Sequence, residues 1–414
     1  MRNSFSHPSR RMFLSAAALA LSDAALCNPS LAESKPGPNP PTYRGNQHRP
    51  TRDLLEWHGR GSGEPAREPG LPIVDAHHHL FGTSSDKLYY RREDMESDLA
   101  SGHKIVGTMY IAAYGAGWRT DGPPEMRSVG EVERIVALSA APLSTPQGPC
   151  RLAAGIVSDV DLALGDSVDA VLRAHVEAGK GRLHGVRYYA TYHDSDLKKF
   201  IPNAQPNAMG DASFRRGFAL LDRYGLSFDA LIYHTQLREL ASLADAFPRT
   251  PIVLNHVGMP VGVLGFQSQK AAVRQEWERD LRALAARPNV RVKVGGMGMP
   301  IFGFEFESGD RPAETQALVQ AWKPLMDVCI DAFGPGRCML ESNFPVDKQS
   351  CGYGQLWNAF KLATSALSPS ERQALFYRTA CQTYRLPELE RACDEAWVRN
   401  DSGDPQTTQR PRAS

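Results

Sequence analysis

Three consecutive histidines, His77, His78 and His79, follow a short apolar run that begins at Pro72. A run of this kind, bounded by proline, predicts a buried strand. Side chains two residues apart in a strand point to the same face, so His77 and His79 should share one face and His78 the other. Two neighbouring imidazoles can bind a metal ion or polarise a reacting substrate. We therefore predict a functional site at the end of this strand.

The rest of the chain alternates short apolar runs with segments of helical spacing, which predicts a (β/α)8 TIM barrel as a single domain with extra C-terminal helices. A doubly wound open sheet is the alternative, but the first strand is not followed by Gly-x-Gly-x-x-Gly and no Walker motif occurs. The strand candidates are 73–76, 105–112, 152–157, 185–189, 226–233, 252–255, 290–294 and 338–341.

Polar side chains end several of these runs, and the carboxyl ends of barrel strands carry the reacting groups. Arg187 ends the fourth run, Tyr233 and His234 follow the fifth, and His256 follows the sixth. Buried imidazoles need hydrogen-bond partners, so four histidines from three strands favour a functional site over a core. The planar guanidinium of Arg187 is suited to bind a substrate carboxylate, and a salt bridge within the scaffold is the alternative.

Several segments together resemble the amidohydrolase-2 family of the amidohydrolase superfamily over about residues 70 to 390. They are Val-Asp-Ala-His-His-His-Leu at 74–80, the segments 226–237 and 253–258, Val-Lys-Val-Gly-Gly-Met-Gly-Met-Pro at 292–300, and Glu-Ser-Asn-Phe-Pro-Val-Asp-Lys at 341–348. The family contains TIM-barrel lactonases, related hydrolases and non-oxidative decarboxylases. The resemblance implies that His77, His79 and His234 bind a metal or polarise the substrate, with His256 beside them.

One position departs from the family pattern, because Asn343 stands where the superfamily has an aspartate after strand eight. An amide is neither a general base nor a good metal ligand. We therefore predict His256, Glu341 and Asp347 as catalytic residues, although the sequence does not choose between the two carboxylates. Arg187, Tyr233 and Asn343 are predicted to bind substrate. The fourth strand also lacks the lysine of binuclear relatives, which leaves one divalent ion, zinc by preference, or none.

Three functions follow from this set of residues. We predict a hydrolase that opens a lactone, or a similar ester or amide, of a carboxylated small molecule. A metal-dependent non-oxidative decarboxylase is the first alternative, and Asn343 counts against it because decarboxylases of the family depend on the aspartate. The second alternative is a non-catalytic binding protein.

The net charge and the terminal segments of the chain indicate its partners and its localisation. A formal net charge of +1 gives no electrostatic reason to expect nucleic-acid binding. Residues 1–32 resemble a twin-arginine signal peptide, which predicts recognition by the Tat machinery and export to the periplasm. The run 12–26 is too short to span a bilayer, and Leu26 before Cys27 does not fit a lipid anchor. Residues 33–69 are predicted to be a linker or arm and 391–414 a polar tail. The oligomeric state is open.

Overall fold

A computed structural model describes residues 48–113 and 115–401 of the chain. Eight parallel strands follow one another in the order β1-β2-β4-β5-β6-β7-β8-β9, and β3 pairs antiparallel with β4. The strands are β1 (Pro72–His78), β2 (Lys104–Ile111), β3 (Leu143–Thr145), β4 (Gly148–Asp159), β5 (Leu183–Tyr189), β6 (Ser227–Leu231), β7 (Ile252–Leu254), β8 (Val290–Val294) and β9 (Cys338–Leu340). All eight predicted strands are therefore present, and the predicted barrel is confirmed.

Helices cover the outside of the ring of strands. They are α1 (Thr51–His58), α2 (Arg92–Leu99), α3 (Val129–Leu138), α4 (Val168–Gly179), α5 (Ala212–Arg223), α6 (Leu237–Ala246), α7 (Lys270–Ala285), α8 (Thr315–Phe333), α9 (Tyr353–Ala363), α10 (Pro369–Gln373), α11 (Thr379–Thr383) and α12 (Pro387–Asp401). Apolar residues that recur at helical spacing face the strands, as in α5, where Phe214, Phe218 and Leu221 are buried.

The ring closes where the first strand meets the segment after the last. The Asn343 N–H donates to the His77 carbonyl at 2.9 Å, and the His79 N–H donates to the Phe344 carbonyl at 2.8 Å. Asp75 of β1 strengthens this seam, because its carboxyl accepts hydrogen bonds from the backbone N–H and the hydroxyl of Ser342 at 2.8 and 2.6 Å. Burial raises the pKa of Asp75 to about 6.

The segment expected to be a linker or arm contains helix α1, whose Leu54 and Trp57 are buried. The Trp57 indole donates to the carbonyl of Gly309 at 2.9 Å, and His58 Nε2 lies 2.7 Å from the carbonyl of Lys348. This segment is thus packed on the loops that follow β8 and β9.

Helical structure continues beyond residue 390, where the polar tail was expected to begin, because α12 extends to Asp401. The predicted signal peptide and residues 402–414 lie outside the described residues, so export stays a prediction. In the part of the chain that the structure describes, no helix is both long and apolar enough to cross a membrane. Six cysteines there are buried free thiols.

Candidate active site

His77 and His79 lie side by side at the carboxyl end of β1. Their Nε2 atoms are 3.2 Å apart. His78 points away from them and contacts Thr108, whose hydroxyl lies 2.8 Å from its Nε2. The alternation expected of a strand is therefore present, and it places two imidazoles on the inner face.

The proton on His79 can be assigned from its partners. Nδ1 of His79 lies 2.8 Å from the carbonyl of Ile111, which can only accept a hydrogen bond. Nδ1 therefore carries the proton of the neutral ring, and Nε2 presents a lone pair toward His77. A hydrogen bond of this kind also fixes the orientation of the ring.

Glu341, which follows β9, joins two of the histidines. Its Oε1 lies 2.7 Å from Nδ1 of His256, and its Oε2 lies 2.9 Å from Nδ1 of His77. The two imidazole rings are 4.7 Å apart between centroids. Because both Nδ1 atoms face the carboxylate, both Nε2 atoms are left for other partners. The structure thus brings together His256 and Glu341, both predicted to be catalytic, with His77.

A buried charge network lies beside His77. Lys293 of β8 donates to Asp229 of β6 at 2.7 Å, and its ammonium is 3.3 Å from Nδ1 of His77. An ammonium can only donate, so Nδ1 of His77 is the acceptor in this contact, and Oε2 of Glu341, 2.9 Å from the same Nδ1, has no hydrogen-bond partner among the described residues. Asn255 and the hydroxyl of Tyr384 also donate to Asp229.

Sequence reasoning missed Lys293, Asp229 and Tyr384. A signal was present, because Lys293 and Asp229 each interrupt an apolar strand, and charged side chains are buried only when paired. Both are fully buried here. Nothing comparable marks Tyr384, which comes from the segment after α11 and reaches the network only through the tertiary fold.

Electrostatics keeps the paired imidazoles neutral. Burial lowers the pKa of His77 well below its usual value, and the nearby charge of Lys293 lowers it further. Burial also lowers the pKa of His79 well below its usual value, with the charge of Arg187 as the next cause. Neutral imidazoles are the form that binds metals.

Arg187 of β5 lies beside His77. Its Nη1 is 3.5 Å from Nε2 of His77, and its Nη2 donates to the carbonyl of Ala112 and, at 2.6 Å, to the hydroxyl of Tyr189. The side chain is thus anchored on one side and directed at the histidines on the other. Its predicted contact with a substrate carboxylate stays a prediction.

The segment after β9 holds the two remaining polar residues of interest. The amide of Asn343 donates to Oδ1 of Asp347 at 2.8 Å, and the N–H of Gly298 donates to Oδ2 at 2.8 Å. Burial raises the pKa of Asp347 well above its usual value. Glu341 contacts the imidazoles directly, whereas the hydrogen bonds of Asp347 go to Asn343 and Gly298. The roles predicted for Asn343 and Asp347 stay predictions.

The two glycines after β8 let this loop approach the site closely. A Cβ at Gly295 would lie 2.3 Å from the carbonyl oxygen of Glu341, and one at Gly296 would lie 2.2 Å from Nδ1 of His256. Gly296 also has a φ of +66°, which favours glycine. These two glycines are therefore part of the site.

His234 and Tyr233, after β6, have other neighbours. The N–H of Val261 lies 3.4 Å from Nδ1 of His234, and its ring packs on Phe266 at 5.6 Å between centroids. The hydroxyl of Tyr233 donates to the carbonyl of Leu197 at 3.3 Å. The described contacts therefore place neither residue against His77, and the metal and substrate roles predicted for them stay predictions.

The donor set fits a divalent ion. Two nitrogens on a tetrahedral zinc, each about 2.0–2.1 Å from it, are about 3.3 Å apart. The observed separation of 3.2 Å between the Nε2 atoms of His77 and His79 is close to that edge. His77, His256 and Glu341 also offer ligand atoms within 4.8 Å of one another. Residues His77, His79, His256 and Glu341 are therefore the set that could hold a metal, with Arg187 as a neighbouring cation.

The site can now be compared with known proteins. The amidohydrolase family model matches residues 74–386, so the chain belongs to the amidohydrolase family. It is a hydrolase of that family, and its fold is the TIM barrel of its structural neighbours.

Among its relatives, the uncharacterized protein y4mH of Sinorhizobium fredii is 35% identical over 233 residues, which are 56% of this chain and 70% of the relative. An L-fucono-1,5-lactonase of Burkholderia multivorans is 30% identical over 208 residues, which are 50% of this chain and 64% of the lactonase. The match thus spans less than two thirds of that enzyme. The crystal structure of an amidohydrolase from Burkholderia multivorans aligns with a TM-score of 0.57 and 22% identity, over 76% of this chain and 99% of the other.

Proposed function

We propose that this hydrolase opens a lactone. The observation that carries the proposal is the Glu341 carboxylate between the Nδ1 atoms of His77 and His256, at 2.9 and 2.7 Å, in a site where these side chains are at most 3% exposed. A carboxylate that orients an imidazole leaves the far ring nitrogen as a proton acceptor. The similarity to an L-fucono-1,5-lactonase supports this choice of ester.

In the proposed reaction, Nε2 of His256 accepts a proton from a water molecule that attacks the lactone carbonyl carbon. Glu341 stabilises the resulting imidazolium through the 2.7 Å contact with Nδ1. In this proposal Nη1 of Arg187, which lies 3.5 Å from Nε2 of His77, stabilises the negative charge on the carbonyl oxygen. The ring C–O bond then breaks, and the leaving oxygen takes the proton back from His256. The product is a hydroxy acid, which ionises near neutral pH.

We also propose that one divalent ion, zinc by preference, would be held by His77 and His79 with Glu341, whose Oε2 has no hydrogen-bond partner among the described residues, so that His256 remains the base. Such an ion, when bound, polarises a carbonyl and lowers the pKa of water. The Nε2 atoms of His77 and His79 support this assignment, because imidazole nitrogens are zinc ligands and these two lie 3.2 Å apart on neutral rings. Arg187 is a neighbouring cation.

Lactone opening is tested by proton release. Full-length protein is expected to acidify a weakly buffered solution of L-fucono-1,5-lactone or another 1,5-lactone in proportion to enzyme concentration, because each turnover yields one ionised acid. A pH-stat measures the rate, and the carbon dioxide evolved from 2,6-dihydroxybenzoate measures decarboxylation. Glu341→Gln provides the matched control, with a rate expected to be about 10²–10³-fold lower. Carbon dioxide release without lactone opening, or neither activity, would contradict the proposal.

Metal content is tested by elemental analysis after dialysis. We expect about one zinc per chain in the unmodified protein and a large loss of zinc in His79→Ala, since this change removes one of the nitrogens that would hold the ion. His175→Ala is the control, because this buried histidine contacts Ser128 at 3.0 Å, away from the site. No metal in the unmodified protein would contradict the proposed ion, and equal zinc content in both variants would show that His79 is not one of its ligands.

A further inference from the structure

A buried carboxylate lies near the active site without contacting its histidines. Glu131, in the first turn of α3, is 2% exposed. Its Oε1 accepts hydrogen bonds from the hydroxyl of Tyr110 at 2.6 Å and from the N–H of Ala113 at 3.0 Å, and its Oε2 accepts from the indole of Trp118 at 3.0 Å. Carboxylates are rarely this buried unless they are paired, and here the partners are three neutral donors from β2 and the loop after it. Glu131 therefore fastens that loop to α3.

The N–H of Ala113 belongs to a peptide group that also contacts Arg187. The carbonyl of the same peptide group, that of Ala112, accepts a hydrogen bond from Nη2 of Arg187. A peptide group is planar, so its N–H and its carbonyl cannot turn independently. The direction of the Ala112 carbonyl is therefore set in part by the contact between the Ala113 N–H and Glu131.

The charges on the two sides of this peptide group are complementary. The carboxylate of Glu131 lies at its N–H, the positive end of the peptide dipole, and the guanidinium of Arg187 lies at its carbonyl, the negative end. Hydrogen bonds that share a polarised group strengthen one another. Ala112 and Ala113 are 1% and 4% exposed, so water has little access to replace either partner. The peptide group thus links Glu131 to Arg187 in one hydrogen-bonded chain.

Arg187 connects this chain to the active site. Its Nη1 lies 3.5 Å from Nε2 of His77, and its Nη2 donates to the carbonyl of Ala112 and, at 2.6 Å, to the hydroxyl of Tyr189. Both of these anchoring bonds are made by one nitrogen of a rigid, planar group, so the orientation of the guanidinium depends on where its two acceptors lie. A shift of the Ala112 carbonyl would turn Nη1 away from His77.

We infer that Glu131 is a positioning residue of the active site, which holds Arg187 beside His77 through the peptide group between Ala112 and Ala113. This inference rests on the proposed function, in which Arg187 stabilises the charge on the carbonyl oxygen, and deepens it by naming the residue that orients this cation. Glu131 itself does not touch the substrate. Because the charge on the carbonyl oxygen develops in the transition state, a misplaced Arg187 lowers kcat more than it raises KM.

The first test measures the opening of L-fucono-1,5-lactone. Glu131→Leu is expected to lower kcat about 10-fold with KM within about twofold, and Glu131→Gln, which keeps an oxygen acceptor for Ala113, to recover part of the loss. Burial raises the pKa of Glu131 to about 7, so rates are measured at about pH 8, where the side chain is ionised. Glu133→Leu is the matched control, because this carboxylate of the same helix pairs with Arg119, and it is expected to leave both constants unchanged.

A double-mutant cycle separates positioning of Arg187 from a general effect on the fold. In an Arg187→Met background, Glu131→Leu is expected to lower kcat by less than about twofold, because the side chain that it orients is already absent. A carboxylate that only stabilised the barrel would lower kcat by the same factor in both backgrounds. That result, or an unchanged kcat in Glu131→Leu alone, would overturn the inference.

Crystal structures separate this inference from the proposed function. If the unmodified protein opens no lactone, the proposed function fails, and the structures of Glu131→Leu and Glu133→Leu decide the inference. Loss of the contact between Arg187 and the Ala112 carbonyl in the Glu131 variant alone would support it. An Arg187 that keeps this contact in the Glu131 variant would overturn it. If Glu131→Leu does not fold, Glu131→Asp, whose carboxylate ends one methylene further from Ala113, takes its place in each measurement.

Discussion

Replacing His77 by alanine is expected to lower kcat/KM for lactone opening by roughly 10³-fold or more while the barrel stays folded. This imidazole has its Nε2 at His79 and Arg187 and its Nδ1 at Glu341, so its loss removes contacts to three groups of the site at once. It lies at the carboxyl ends of the strands, the face that carries function and not stability in this fold. Steady-state hydrolysis measured beside circular dichroism of the same samples separates the two effects.

The control for this variant is His175→Ala, which also deletes a fully buried imidazole. His175 contacts Ser128 on the outer helices, and burial lowers its pKa to about 3, so it is a neutral histidine like His77. We expect a comparable change in thermal stability and nearly unchanged kcat/KM. If His77→Ala retained activity within tenfold of the unmodified protein, the assignment of the site would be wrong.

Lys293→Met is expected to lower the free energy of unfolding by about 3–5 kcal/mol, because it leaves the charge of Asp229 buried without its partner. Both side chains are fully buried and 2.7 Å apart. The measurement is equilibrium unfolding in guanidinium chloride, followed by circular dichroism. Activity is expected to fall too, since Lys293 lies 3.3 Å from Nδ1 of His77.

The double variant Asp229→Asn/Lys293→Met distinguishes a buried charge from a simple loss of packing. Removing both charges leaves no uncompensated ion, so the double variant is expected to be more stable than Lys293→Met alone. The hydroxyl of Tyr384 can still donate to the remaining carbonyl of residue 229. If the double variant were as unstable as Lys293→Met, the pair would stabilise the fold through the packing of its side chains and not through its charges.

Much of the fold was predictable because each strand is a short apolar run, and the barrel strands are buried on both faces. The histidine pair was predictable for the same reason, since His77 and His79 directly continue such a run and alternate around His78. Helix α1 was not predicted, because Trp57 and Leu54 stand in a segment rich in Pro, Gly and Arg without a longer apolar pattern. Its burial depends on Gly309 and Lys348, some 250 or more residues away.

The site was predicted in part. His256 and Glu341 were identified from their positions after strands. The contact of the Glu341 carboxylate with the His256 ring, however, depends on how close the carboxyl ends of β7 and β9 lie to each other. Gly295 and Gly296, in the loop after β8, permit this approach because they lack side chains. The sequence alone does not show which neighbouring side chains fill the space beside a glycine. Lys293 and Asp229 were missed because each was considered as a strand residue and not as half of an ion pair.

The site is complete only when the ring of strands is closed between β1 and the segment after β9. The Asn343 N–H meets the His77 carbonyl there, and the Phe344 carbonyl meets the His79 N–H. The amino-terminal half of the chain contributes His77, and the carboxyl-terminal half contributes His256 and Glu341, so neither half contains a complete reactive centre. Catalysis therefore requires both halves to be associated. If the two halves were produced separately and mixed, the recovered activity would measure the fraction of molecules in which β1 has paired with the segment after β9.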